Sequence, residues 1–326
     1  MSGEGGKFAT VVYNPIKGNA SSVKRHFTEG AEKHGWAAPK FIETSEADPG
    51  VAMAREAVAD GAAIVVAAGG DGTVRCVAEG LRDSGVPLAL VPSGTGNLLA
   101  RNLDIPLGSI HQAATIAYTG ETRTIDLGIA EVKPPNGPTS EHAFLVMAGM
   151  GIDAQMIANT NDELKKTVGW LAYADAVIRS VAGLKPFRIR YQLADSPRHS
   201  AHVSTILVAN CGTLPAGIEL LPDARIDDGQ LDVAVLQPNG VLGWLQVWRK
   251  VRWENGMLRR SSIGRRIIKA TEGKDSTITY LRSPSVTIRP DESQELELDG
   301  DEFGAASAVR FTVDPGALRV RVPAKR

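Results

Sequence analysis

Residues 62–73 read Ala62-Ala63-Ile64-Val65-Val66-Ala67-Ala68-Gly69-Gly70-Asp71-Gly72-Thr73, and residues 86–97 read Val86-Pro87-Leu88-Ala89-Leu90-Val91-Pro92-Ser93-Gly94-Thr95-Gly96-Asn97. Each stretch is a short apolar run that ends in a glycine-rich turn, and each is followed by a helix-like segment. A strand that ends in glycines and opens a helix presents backbone N–H groups at the positive end of the helix dipole. That geometry suits phosphate. Two such turns on neighbouring strand ends can hold a polyphosphate between them, which points to a nucleotide-dependent kinase.

The chain around these turns alternates between two periods. Phe8–Tyr13, Lys40–Glu43, Ala62–Ala67 and Leu88–Val91 read as strands, and Ser21–Lys33, Pro49–Ala59 and Val74–Arg82 as helices. Ser21 or Ser22 is expected to cap the first helix, and Asp48 the second, with Pro49 at its first position. Strands separated by helices of this length imply right-handed βαβ units and a parallel sheet covered on both faces. Ligands of such sheets collect at the carboxyl ends of the strands. Both glycine-rich turns lie there, as does Asn14-Pro15-Ile16-Lys17-Gly18 after the first strand.

Near Thr122–Glu131 the pattern changes. Ala143–Met147, Phe187–Leu193, Ser204–Ala209, Leu231–Leu236, Thr277–Leu281, Ser285–Arg289 and Gln294–Leu298 read as strands, with one clear helix at Leu164–Ala182. Mostly antiparallel β structure follows, a sandwich or partly closed barrel. Lys133–Glu141, with its prolines and Asn-Gly, marks a hairpin tip or an insertion. The expected organisation is an α/β domain over 1–125 and a β-rich domain over 126–305, with a cleft between them. The last strands, Val309–Val313 and Leu318–Val322, either finish the second domain or return to the first, which 306–326 would then complete.

Composition narrows the function classes. Across 326 residues the formal net charge is -1, so no global field favours nucleic acid or an anionic membrane. The two cysteines, Cys76 and Cys211, form no disulfide framework or metal spacing and read as packed thiols in a reducing cytosol. No signal peptide opens the sequence, and no apolar run approaches the roughly 20 residues a bilayer span needs. A cytoplasmic protein, peripheral to the inner face of the membrane at most, is expected.

Residue by residue, Gly69, Gly70 and Gly72 let the backbone approach phosphates. Asp71 would hold magnesium waters that bridge nucleotide oxygens, and Thr73 would cap the next helix and donate to a phosphate. The plain alternative is a structural turn. Ser93, Gly94, Thr95 and Asn97 form the second turn, where a hydroxyl and an amide face phosphate or ribose oxygens. Arg101 follows one turn later, facing either that site or Asp104. Asp126, between Ile125 and Leu127 at the domain junction, faces the cleft and holds magnesium or orders basic residues there; a buried structural ion pair competes with that reading. Trp244–Lys269 carries three tryptophans among eight Arg and Lys residues. Its apolar stripe is expected to pack on the sandwich and its cations to meet a membrane headgroup layer.

These motifs, in this order, resemble the diacylglycerol kinase catalytic family, the lipid kinases that include bacterial diacylglycerol kinases and sphingosine kinase. The resemblance runs through nearly the whole chain. It rests on Asn14-Pro15, Gly69–Thr73, Pro92–Asn97 with Ala100-Arg101, and Ile125–Gly128. It continues through Gly149–Ala154, Asp227–Asp232 and Leu298-Asp299-Gly300-Asp301. Three positions depart from the family pattern. Leu98 stands where the family has an acidic residue, Lys17-Gly18 where it favours Ser-Gly, and Asp301 where a glutamate is common.

The resemblance implies an ATP- and Mg2+-dependent kinase that phosphorylates a lipid alcohol such as diacylglycerol, with ATP on the first domain and the lipid in the apolar second one. Nucleotide contacts would come from Asn14, Pro15, Lys17, Gly69–Thr73, Ser93–Thr95, Asn97 and Arg101. Asp299 would be the general base, with Asp71 and Asp126 as further catalytic carboxylates. Arg225 and Gln230 carbonyls with the Asp228 side chain would hold a structural magnesium. A homodimer through the second-domain sheet fits but no residue argues for it. Two rivals stand: a soluble NAD kinase-like enzyme, and a lipid-binding regulatory protein that has lost catalysis.

Overall fold

The computed structural model describes residues 6–16, 19–151, 186–214, 218–219, 221, 223–237 and 278–324. Lys17, the Leu164–Ala182 helix and the Trp244–Lys269 segment lie outside the described residues. Strands β1 (Ala9–Tyr13), β2 (Lys40–Glu43), β3 (Ile64–Gly69) and β4 (Leu88–Pro92) form a parallel sheet in the order β2-β1-β3-β4. The near-continuous apolar runs of β1, β3 and β4 are those of strands buried on both faces, while β2 is the half-exposed edge. On β3, Ile64 and Val66 pack on one side with Phe27 of α1 (Ala20–Lys33) and Ala113 of α5 (Ile110–Thr119). Val65 and Ala67 face the other side, against Ala54 of α2 (Val51–Ala59) and Val77 of α3 (Asp71–Leu81). Helix α5, capped by Ser109, whose Oγ accepts from the Gln112 N–H at 3.2 Å, was not expected from the sequence.

The helix starts differ from expectation in which residue stands at the cap. Asn19, not Ser21 or Ser22, caps α1, its Oδ1 accepting from the Ser22 N–H at 3.0 Å. Helix α2 begins at Val51 behind Gly50, and Asp48 accepts from the Gly50 N–H at 2.9 Å in a turn before the helix. Helix α3 begins at Asp71 with Gly70 as its cap, so Thr73 lies inside the first turn and does not cap it.

The second half is a sandwich of antiparallel sheets. One layer extends the first sheet. It contains β5 (Glu121–Lys133), β6 (Ser140–Phe144), β8 (Phe187–Leu193), β9 (His199–Val203), β15 (Ser285–Pro290) and β18 (Ala308–Val322). The other layer contains β7 (Met147–Met150), β10 (Thr205–Ala209), β13 (Leu231–Leu236), β14 (Ile278–Ser283), β16 (Gln294–Leu298) and β17 (Asp301–Ala306) in the order β14-β13-β10-β7-β16-β17. A small ribbon of β11 (Thr213–Leu214) and β12 (Ile218–Glu219) stands apart. Inner residues of both layers, among them Phe144, Met150, Ile206, Val233, Ile288, Leu296 and Phe311, share one core. The chain is thus an α/β unit with a parallel sheet joined to an antiparallel β-sandwich.

Two strands bind the halves. The two C-terminal segments read from the sequence are one 15-residue strand, β18, with a register shift between Asp314 and Leu318. Its first part pairs with β15 and its last part lies parallel to β4 through Val320 and Leu88, so it serves both halves. Strand β5 runs antiparallel beside it for nearly all its length. The Lys133–Glu141 region is the hairpin between β5 and β6. By contrast, the single strand expected at Ala143–Met147 is two strands, β6 and β7, broken at Leu145-Val146.

Candidate active site

The first glycine-rich turn closes β3 and opens α3, and the second follows β4 and opens the short helix α4 (Leu98–Asn102). The two turns are in backbone contact: a Cβ on Gly94 would lie 2.8 Å from Gly70 Cα. Asp71 joins them. Its carboxylate accepts from the Asn97 N–H at 2.9 Å and the Leu98 N–H at 2.6 Å, which satisfies donors at the start of α4. Burial pushes the Asp71 carboxyl up, against the pull of these N–H bonds. The expected magnesium-water ligand is therefore first a joint between turns.

The second turn is closed by its own side chains. Asn97, at φ 48°, accepts from the Gly94 N–H at 3.0 Å and donates to the Gly94 carbonyl at 2.8 Å. Arg101 donates through Nε to the Gly96 carbonyl at 2.7 Å, so it stays with the turn and does not pair with Asp104. Ser93 donates to the Val91 carbonyl. Thr95 is exposed. Thr73 is buried against Gly69, whose Cβ would lie 2.6 Å from the Thr73 side chain. Asn14 lies beside the first turn, its N–H donating to the Ala68 carbonyl at 2.9 Å, with Pro15 and Ile16 exposed beyond it.

From the second half, the β16–β17 hairpin reaches over α3. Asp299 and Gly300 form its two-residue tip, with φ 52° and 89°, a left-handed pair that Asp-Gly adopts readily. Asp299 is 6% exposed and points inward. Its carboxylate accepts from the N–H groups of Leu145, Val146 and Met147 at 2.7, 2.8 and 2.9 Å. These bonds hold the break between β6 and β7. Burial raises its pKa to about 6, opposed by the three N–H bonds and by Arg75.

Asp301, two residues on, projects the other way. Its carboxylate stands where a Cβ on Gly72 would be, 2.8 Å from Oδ2, in the first turn of α3. Arg75 binds it through Nε at 3.4 Å and Nη2 at 3.3 Å. The guanidinium also lies 4.8 Å from the Phe303 ring centre and 3.7 Å from Glu79, which accepts from the Ala143 N–H. Asp301, Arg75 and Glu79 were not picked out as site residues from the sequence. The signal was present in the register: Asp301 and Phe303 lie on one face of β17, and Arg75 and Glu79 one turn apart on α3.

Asp126 does not face the cleft. It is 4% exposed and accepts from the Gly229 N–H at 2.7 Å and the Gly316 N–H at 2.8 Å, so it joins the loop at Gly229 to the register shift of β18. It is neither an open metal ligand nor part of an ion pair among the described residues. The loop expected to hold magnesium makes its own pairs in this structure. Asp228 pairs with Arg282 and accepts from the Gln230 N–H, while Arg225 leans toward Asp227 at 3.8 Å. A guanidinium thus supplies the positive charge opposite Asp228. Among the described residues no three His, Cys, Asp or Glu side chains gather as a metal centre.

Two family models cover the chain: the diacylglycerol kinase catalytic domain over residues 8–130, and the YegS C-terminal NAD kinase beta sandwich-like domain over residues 146–322. The second spans more than half of the sequence. The chain belongs to the lipid kinase family of YegS-like proteins and diacylglycerol kinases. A Pseudomonas aeruginosa protein described as a probable lipid kinase YegS-like is 33% identical over 83% of this chain and 80% of its own. The diacylglycerol kinase of Bacillus subtilis is 27% identical over 91% of either chain. Among solved structures, a diacylglycerol kinase from Bacillus anthracis matches with a TM-score of 0.67 and 18% identity over 98% of either chain, a likeness of fold. The first model lies on the α/β unit and the second on the sandwich. Among the described residues no helix is long and apolar enough to cross a membrane.

Proposed function

We propose that this protein transfers the γ-phosphoryl group of ATP to the hydroxyl of a lipid alcohol, diacylglycerol or a related lipid. The observation that carries the proposal is the placement of one carboxylate, Asp301, against the first turn of α3, where that turn meets the second glycine-rich turn. The first N–H groups of a helix have no partner within it and favour an anion. The glycines fit this use, although their first requirement is internal: Gly94 is pressed on Gly70 and Gly96 on Asp71. Thr95 and the Lys17 loop complete the nucleotide contacts in this reading.

Phosphoryl transfer asks the protein for alignment, charge neutralisation and a proton acceptor. The lipid hydroxyl gives its proton to Asp301 as its oxygen bonds to the γ-phosphorus, and the bond from that phosphorus to the β–γ bridging oxygen breaks, releasing ADP. Asp299 supports this indirectly, since its three N–H bonds fix the tip that carries Asp301. A divalent cation, carried by the nucleotide phosphates, neutralises charge when bound. The described side chains build no separate centre for it. In this reading the lipid arrives from a membrane surface met by the cations of residues 244–269.

The test is transfer of labelled γ-phosphate from Mg-ATP to lipid alcohols in mixed micelles, with NAD as a soluble acceptor. Labelled lipid, lost in Asp301→Asn at unchanged melting temperature, supports the reading. Label on NAD alone moves the protein to soluble kinases, and ATP binding without transfer to anything makes it non-catalytic.

A further inference from the structure

We infer that Arg75 is the positioning residue for Asp301, an assignment that rests on the kinase reading above. Arg75 lies one helical turn beyond Asp71, and its side chain is 9% exposed against 44% for Asp301. Four groups fix the guanidinium. Asp301 Oδ2 takes Nε and Nη2, Phe303 covers it at 4.8 Å, Glu79 lies 3.7 Å from Nη1, and Cys76 Sγ lies 3.4 Å from Nη2. Glu79 is itself anchored on β6 through the Ala143 N–H at 3.0 Å. The hairpin thus grips the arginine between a carboxylate and a ring on one face of β17, while α3 and β6 hold it from behind.

Docking a helix on a sheet does not need this charge. Val74, Val77 and Leu81 dock α3 with apolar surface, and a buried guanidinium carries a desolvation cost that only good pairing offsets. The charge makes sense through Asp301. A carboxylate beside the anion-binding end of α3 is repelled by any phosphate bound there. A cation fixed behind it keeps it over Gly72 when the site fills. The shorter reach of aspartate, where the resemblance has glutamate, makes that placement depend on an external hold. The phosphate-binding helix therefore sets the position of the proton acceptor that comes from the other half of the molecule.

A double-mutant cycle tests this, with kcat, KM for ATP and melting temperature measured for Arg75→Met, Asp301→Asn and the pair. Arg75→Met is expected to lower kcat about tenfold with KM for ATP within about twofold, and to change the residual kcat of Asp301→Asn by less than about twofold. Arg75→Lys recovers part of the loss. If Arg75→Met does not fold, Phe303→Leu takes its place, with a fall of about threefold that vanishes in the Asp301→Asn background. Additive effects, or a raised KM with kcat intact, overturn the inference and leave the kinase reading standing. Wild-type turnover in Asp301→Asn overturns both.

Discussion

Four aspartates that look alike in the sequence do two different things. Asp71, Asp126 and Asp299 each accept backbone N–H groups from segments remote in sequence, and Asp126 and Asp299 are almost sealed from solvent. Asp301 alone pairs with a cation across the two halves and keeps substantial exposure. A buried carboxylate that satisfies several N–H donors stabilises a turn with one side chain, and its removal leaves those donors unpaired at about 1–3 kcal/mol each. Asp299 also sets a pH dependence. Its folded pKa, raised to about 6 by burial, lies above the usual 3.8, so the folded state takes up a proton between those values. The stability it contributes is fully present below about pH 4 and is lost as pH rises through 6, by up to about 3 kcal/mol. Urea unfolding of wild type and Asp299→Asn from pH 4 to 7 should show their difference shrinking over that window as wild type loses stability. A difference that grows with pH would remove burial as the dominant influence on this group. The sequence marked Asp71, Asp126 and Asp299 but not their use, and did not single out Asp301 as a site residue, because a side chain's hydrogen-bond partners follow from segments that meet only on folding.

At the scale of elements, the strand ends and their turns were the most legible part. Lys40–Glu43, Phe187–Leu193, Leu231–Leu236 and Gln294–Leu298 have the expected bounds, since apolar run length and period 2 are local properties. Two failures have tertiary causes. The break at Leu145-Val146 has no proline or glycine to announce it and is held by Asp299 from 152–154 residues away. The joining of the last two segments into β18 follows from β5 lying alongside both. The glycines of the two turns were read as room for phosphate, and the structure adds that they are room for each other. Gly94→Ala places a methyl 2.8 Å from Gly70 Cα, a contact between two backbones with no flexible side chain to yield. Calorimetric titration with Mg-ATP should show binding weakened at least about tenfold, with far-UV dichroism unchanged. Wild-type affinity in that variant would show that the two turns do not act together.

The whole molecule is organised by β5 and β18, which run side by side through both halves and leave no covalently simple place to cut. The strand that ends the sequence completes the pairing beside β4, while its beginning pairs with β15. Removing residues 317–326 should therefore unfold the α/β half although nothing of its own sequence is touched. Differential calorimetry of the intact chain should give one transition, not two. Separate transitions, or a truncated chain that keeps its helical dichroism, would show that the halves fold independently. By itself the sequence determined the βαβ alternation, the two glycine-rich turns, the antiparallel second half and, through the order of its motifs, the lipid kinase family, because period, turn chemistry and motif spacing are written locally. Only the tertiary structure decided which carboxylates are joints and which lies against the first glycine-rich turn, which arginine stands behind it, and where the last strand pairs. Those depend on contacts between segments from 26 to 232 residues apart, and such contacts leave no period in the chain.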